Sequence, residues 1–370
     1  MFRFREIIVR RNSFLVLALL VLFAGVASLS GQQASSADPA KPAVPAAQAA
    51  SPPAPPAAAP KKVRIMEDWS VLPLESSGLD LSLAGAVQLA KWDKGDFTEE
   101  LLRVEWRPHD PIDLYVVLPK GVEKPPAILY LYDYWNNAER FRDDGWCKRM
   151  TQGGFAAVGF LEAVSMDRIH TPRPLKEWFV SELQESLGAT THDVQMILNY
   201  LDKRGDIDMS RIGMVGLGSG ASIAVLAAAA DPRIKTLDLL SPWGDWPDWL
   251  KESPIIPENE RANYLTPEFL AKVAKLDPVL YLPQLKTRSV RIEYILDDQG
   301  TPKSAREAML AAAPKNADIV RYKDAAEHVK AYHVNGLSGW IKGQLQAGQP
   351  QSPTQPKTNS AATGVASSRP

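Results

Sequence analysis

The chain has 370 residues, a formal net charge of −1 at pH 7 and a single cysteine, Cys147. A near-neutral balance without a basic stripe excludes an electrostatic nucleic-acid footprint. One cysteine excludes an internal disulfide and a cysteine-based metal site. The five histidines stand at 109, 170, 192, 328 and 333 and have no H-E-x-x-H spacing. His328 and His333, five apart, would not share one face of a helix, so neither a metal nor a cofactor is expected.

In chain order, Arg3, Arg5, Arg10 and Arg11 precede an apolar run from Phe14 to Ser28, with small residues around Ser28 and Ser30. Residues 1–31 have the pattern of a signal peptide. The run is about 15 residues long, short of the ~20 that span a bilayer as a helix. Cleavage is therefore favoured over an uncleaved anchor, and the expected location is periplasmic or secreted. Residues 32–62 are mostly Ala, Pro, Ser and Gln and read as an extended linker. Residues 346–370 read as a disordered tail of similar kind. Residues 63–345 remain, enough for one large domain.

Within that domain, residues 63–98 carry no clear period. Trp69, Trp92 and the run Leu79 to Leu89 suggest packing pieces rather than a site. Leu101 to Trp106 and Ile112 to Leu118 read as an antiparallel strand pair. Ala127 to Tyr132 and Phe155 to Leu161 are continuous apolar runs, as expected of strands covered on both faces. Between them, a polar loop (Asp133 to Asp143) leads into a short helix, Trp146 to Gln152. After a loop with Pro172 and Pro174, Val194, Ile197, Leu198 and Leu201 recur at helical spacing, and Gly205 ends that helix.

The central stretch is Arg211 to Ala221, R-I-G-M-V-G-L-G-S-G-A. A short strand enters three glycines on alternate positions, and a small-residue helix follows. Strand, sharp turn and helix in this order form a nucleophile elbow. The apex, where such a turn carries its nucleophile, is Gly218. Ile234 to Leu240 is the next strand. Residues 241–285, with Trp243, Trp246 and Trp249, break the alternation and read as a cap. Cap-to-core packing is the simpler role for the three tryptophans; facing a cleft, they would favour an apolar, aromatic or sugar-linked ligand. Val290 to Leu296 is a strand, Pro302 to Ala313 a helix, Ala317 to Arg321 a last strand and Val334 to Leu345 a final helix. Strands alternating with helices predict an α/β domain with a mostly parallel sheet flanked by helices, and ligands in such sheets sit beyond the carboxyl ends of the strands.

Three strand ends carry candidate chemistry. They are the elbow, then Asp297-Asp298 after the strand ending at Leu296, then His328 after the last strand. Elbow, acid, histidine is the chain order of the α/β-hydrolase triad. From about residue 99 to 345 the chain resembles the α/β-hydrolase fold, in its dienelactone hydrolase and acetyl esterase branch. The resemblance is carried by D-V-Q-M-I-L-N-Y-L (Asp193 to Leu201), D-M-S-R-I-G-M-V-G (Asp208 to Gly216) and A-A-A-A-D-P-R-I-K (Ala227 to Lys235).

The resemblance implies that Asp298, with Asp297 as the alternative, is the acid, that His328 is the base, and that Gly218 stands at the nucleophile position. It implies oxyanion donors from the backbone of Ser219 and of the Asp133 loop. Ser219 is the tentative nucleophile, although a register centred on it would put Leu217 where the elbow needs a small residue. The implied activity is hydrolysis of an ester of a small or carbohydrate-linked substrate. The alternative is a catalytically silent pseudohydrolase that binds or scaffolds. Water attack promoted by His328 is a third route. Gly216-x-Gly218-x-x-Ala221 also satisfies a dinucleotide fingerprint, but the next strand ends in Ser241-Pro242 instead of an acid, and Asp238 lies inside that strand.

Overall fold

The computed structural model describes residues 66–347, apart from 83–84, 137, 166–167, 169–177, 299, 336–337 and the side chains of 333–335. The leader at 1–31, the linker at 32–62, the Pro172 and Pro174 loop and nearly all of the 346–370 tail lie outside the described residues. Among the described residues, no helix is long and apolar enough to cross a membrane.

Nine strands form one sheet: β1 (Val87–Asp93), β2 (Phe97–Val104), β3 (Ile112–Pro119), β4 (Ala127–Leu131), β5 (Ala156–Gly159), β6 (Ile212–Leu217), β7 (Ile234–Leu240), β8 (Ser289–Ile295) and β9 (Asp318–Tyr322). Their order is β1-β2-β3-β5-β4-β6-β7-β8-β9. The first three pair antiparallel and β3 meets β5 antiparallel; from β5 to β9 every pairing is parallel.

Side chains alternate across the parallel strands because the strand period is two. Leu129, Val158, Met214, Leu237 and Ile292 pack against α2 (Leu183–Arg204) and α3 (Ser219–Ala230). Ile128, Tyr130, Ala157 and Val215 pack on the other face, against α1 (Asp144–Thr151) and the last helix, Gly339–Gln346. The α/β expectation holds, with helices on both faces of a mostly parallel sheet.

Two stretches differ from the sequence reading. The run Leu79 to Leu89 does not form one packed piece. Its end starts β1, an edge strand on which Val87, Leu89 and Trp92 are exposed. Exposure on both faces removes the alternation that would have marked it as a strand. Trp69, by contrast, does pack, against Ala163, Val164 and Ala189. The second difference follows β9, where helices span Ala325–Asn335 and Gly339–Gln346 and the sequence predicts one final helix from Val334 to Leu345.

Helix α2 is nearly all buried through its middle, including its polar residues Thr190, His192, Asp193 and Gln195. Each must therefore find a partner. Much of that partnership comes from the start of the described chain. Gln195 donates to the Leu72 carbonyl at 2.8 Å and accepts from the Leu74 N–H at 3.1 Å. His192 meets the Glu67 carboxylate through Nδ1 at 2.6 Å and the Val71 carbonyl through Nε2 at 2.8 Å.

Arg107 spans Glu67 and Asp193, and Arg168 spans Asp193 and Asp110, at 2.6 and 2.8 Å. The segment lies flush on α2: a Cβ on Gly188 would stand 2.2 Å from the Trp69 carbonyl oxygen. Burial pushes the Asp193 carboxyl up, but Arg107 and Arg168 outweigh it and hold the group below the usual carboxylate range. Removing Asp193 would strand two buried guanidinium groups. Asp193→Ala is expected to lose about 3–5 kcal/mol, read as a lower midpoint in urea at neutral pH. The stability from Asp193 is present above its unfolded pKa and is lost as pH falls through the depressed folded one.

Candidate active site at the glycine elbow

Strand β6 delivers the chain to Gly218, which caps α3 at φ 55° and ψ −117°. Left-handed backbone of this kind suits glycine, and the turn keeps the elbow shape without a hydroxyl. Gly216 and Gly220 are forced by contact. A Cβ on Gly216 would stand 2.5 Å from Ala221 Cα, and one on Gly220 2.2 Å from the Leu131 carbonyl oxygen. The glycine register therefore centres on Gly218.

Asp133 and Trp243 stand close around the apex. A Cβ built on Gly218 would lie 3.1 Å from Asp133 Cβ and 3.1 Å from Trp243 Cζ2. Trp243 is fixed there because its backbone N–H donates to Ser222 Oγ at 3.0 Å and its carbonyl accepts from that hydroxyl at 2.6 Å. Its ring stacks on Trp249 at 4.8 Å, and Trp249 meets Trp246 edge-on. Trp246 donates to the Leu276 carbonyl and Trp249 to the Gly300 carbonyl. All three tryptophans are buried. Residues 241–285 supply the short helices α4 (Trp246–Glu252), α5 (Glu258–Tyr264), α6 (Pro267–Val273) and α7 (Pro278–Tyr281).

Ser219 is fully buried and its hydroxyl is engaged. It donates to Glu162, with both carboxyl oxygens at 3.0 Å, and accepts the Tyr134 N–H at 3.0 Å. Burial pushes Glu162 well above the usual carboxylate range, and nearby Asp133 adds to the rise against the hydrogen bond from Ser219. Asp133 is itself raised by burial, against the Asn136 side chain at 2.5 Å, with a further push from Asp298. Glu162 was not singled out from the sequence. An acid just past the apolar run Phe155 to Leu161, at the carboxyl end of a parallel strand, is the signal that could have found it.

Asp298 and His328 serve other neighbours. Asp298 accepts from the Gly300 N–H at 2.9 Å and the Thr301 hydroxyl at 3.2 Å, closing the turn before α8 (Lys303–Ala312). Asp297 is exposed. His328 lies in the first turns of α9 (Ala325–Asn335), its ring edge-on to Tyr322 at 5.0 Å. Burial lowers its pKa, Glu293 raises it and Arg291 lowers it. Those two charges belong to a separate buried network. Arg291 pairs with Asp238 and Glu293 at 2.6 and 3.0 Å, and Tyr322 donates to Glu293. Asp238 is therefore spent inside the sheet, away from a ribose-binding role. Among the described residues, no hydrogen bond joins His328 to Asp298, Asp297 or Ser219. Nor does any group of three or more His, Cys, Asp or Glu among them have the arrangement to hold a metal.

The site thus has an elbow at the carboxyl end of a central parallel strand, an acid after β8 and a histidine after β9. Residues 112–287 match the dienelactone hydrolase family. The fold is that of the α/β hydrolases, and the stretch similar to the dienelactone hydrolase family has glycine at the apex of its elbow. Over 157 residues the chain is 26% identical to a Bacillus subtilis (strain 168) protein named as a hydrolase, YtaP, across 38% of this chain and 52% of that one. The chain spans about half the length of that relative.

Two solved structures share the fold. The acetyl xylan esterase from Paenibacillus sp. R4 has a TM-score of 0.56 at 17% identity, over 70% of this chain and 88% of that one. Acetyl xylan esterase 1 from Thermoanaerobacterium sp. JW/SL YS485 has a TM-score of 0.55 at 17% identity, over 65% and 81%.

The Glu162 carboxyl sets a pH dependence for this dienelactone-hydrolase-like domain. A carboxyl raised on folding costs stability as pH climbs from its unfolded value, 4.5, toward the folded one, because only the unfolded chain releases the proton. Glu162→Gln keeps an acceptor for Ser219 and removes that cost. Urea unfolding at about pH 5 and about pH 8 should show the variant gaining on the parent as pH rises.

Proposed function

We propose that this chain is a catalytically silent member of the esterase-like, dienelactone-hydrolase-like fold, one that binds or scaffolds instead of cleaving. The observation carrying this reading is the bare apex: Gly218 has no side chain, and even a Cβ there would stand 3.1 Å from Asp133 and from Trp243. The engagement of the Ser219 hydroxyl by Glu162 and the Tyr134 N–H supports it further. The leader pattern at 1–31 supports export to the periplasm or outside the cell. Relatives named as acetyl xylan esterases support a small-molecule or carbohydrate-linked ligand.

In the competing reading, an active esterase, Ser219 would be the nucleophile, Asp298 the acid and His328 the base. Ser219 would have to leave Glu162 and approach His328, and Asp298 would have to give up its turn. The oxyanion donors would be the backbone of Ser219 and of the Asp133 loop.

A fluorophosphonate probe and short-chain nitrophenyl esters separate the two. The parent is expected to show neither labelling nor turnover. Labelling that disappears in Ser219→Ala, or turnover that disappears in His328→Ala, would replace the silent reading with the esterase. Gly218→Ser is expected to stay inactive and to lose about 1–3 kcal/mol of stability, since a non-glycine residue there is strained at positive φ and its Cβ meets Trp243 and Asp133.

A further inference from the structure

A concave site lies away from the elbow, against β3. Its volume is about 550 Å³, within the ~300–1,000 Å³ range of small-molecule sites. The walls include Pro111, Ile112 and Leu161, which are apolar, and the Tyr115 ring. Tyr115 is buried and stacks on Phe141 at 5.4 Å. Phe141 lies flush on the sheet because β5 has glycine beneath it: a Cβ on Gly159 would stand 2.0 Å from Phe141 Cζ. That packing fixes the next residue, Arg142, at the rim.

Arg142 donates through both Nε and Nη2 to the Tyr115 hydroxyl oxygen, each at 3.2 Å. The phenol oxygen is thereby taken as an acceptor while its own proton remains to donate. Among the described residues, the Tyr115 hydroxyl donates to no acceptor and Arg142 Nη1 makes no hydrogen bond. Of the other lining charges, Glu139 and Asp113 act on Arg142 through space after its hydrogen bond to Tyr115. Arg103 pairs with Asp113 at 2.8 Å, and Arg168 is held by Asp110 and Asp193. Glu139 stands exposed at the rim.

We propose that this cavity binds a small monocarboxylate with an apolar body. A guanidinium edge beside a phenol proton matches one planar carboxylate. The apolar walls match the body. A dianion would be under-neutralised here, because Asp113 and Glu139 line the same space. The site stands apart from Gly218, so it goes beyond the reading of the elbow and holds whether or not the elbow is silent.

The test is calorimetric titration of the full chain with benzoate and with its neutral isostere benzamide. The parent is expected to bind benzoate saturably and benzamide at least about tenfold more weakly, as loss of a charge-assisted hydrogen bond implies. Arg142→Gln is expected to weaken benzoate by a similar factor and leave benzamide unchanged. Arg142 is exposed, so this variant should keep the parent's melting temperature. Tyr115→Phe keeps the ring and should weaken benzoate by a smaller factor. No saturable benzoate binding by the parent, equal binding of benzamide, or benzoate binding unaltered by Arg142→Gln would each overturn the proposal.

Discussion

The crossing of β6 and α3 beneath β4 is possible only because side chains are missing. With Cβ atoms on Gly216 and Gly220, the elbow would collide with Ala221 and with the Leu131 carbonyl. This constraint is backbone against backbone, so no rotamer change relieves it. It fixes the direction in which α3 leaves the sheet, and with it the burial of Ala221, Ile223 and Ala224. It also fixes Ser219 beneath the apex. None of this requires a nucleophile.

Around the apex lie packing and a set of carboxyls held out of water. Trp243 lies over the apex, tied to Ser222 and stacked into the tryptophan cluster. Beneath and beside it, Glu162 and Asp133 are both raised by burial. Neutral or costly carboxyls cluster at functional sites more often than elsewhere. Here they face a hydroxyl and an amide donor inside the fold. The histidine end has been drawn in another direction, towards Tyr322, Glu293 and Arg291. The acid and the histidine keep their places in the chain order while answering to different neighbours.

Much of the architecture was legible in sequence because apolar period and glycine spacing are local signals. The strand at Ile234 to Leu240 matches β7, and the elbow register centres on Gly218 as the spacing of Gly216 and Gly220 indicates. The missed parts share a different physics. β1 is an edge strand without a buried face, so its residues carry no alternation. The helix Ala325–Asn335 holds His328 among mostly exposed side chains, so it too carries no clear apolar period. Glu162 gains its meaning from Ser219, 57 positions away. Glu67 gains its meaning from His192 and Arg107. Such long-range polar pairings leave no period in the chain.

The fastening of residues 67–74 across α2 has a mechanical consequence. Any tension carried along the chain from before Met66 reaches the domain first at Glu67, where it meets His192 and Arg107. The load then passes to Val71, Leu72 and Leu74, held by His192 and Gln195. These contacts fall between Gly188 and Gln195 of α2 and share the load. β1, the exposed margin of the sheet, would be spared from being peeled away one hydrogen bond at a time. The ionic lock on α2 therefore acts as a strain relief, the way a cable is clamped before its connector.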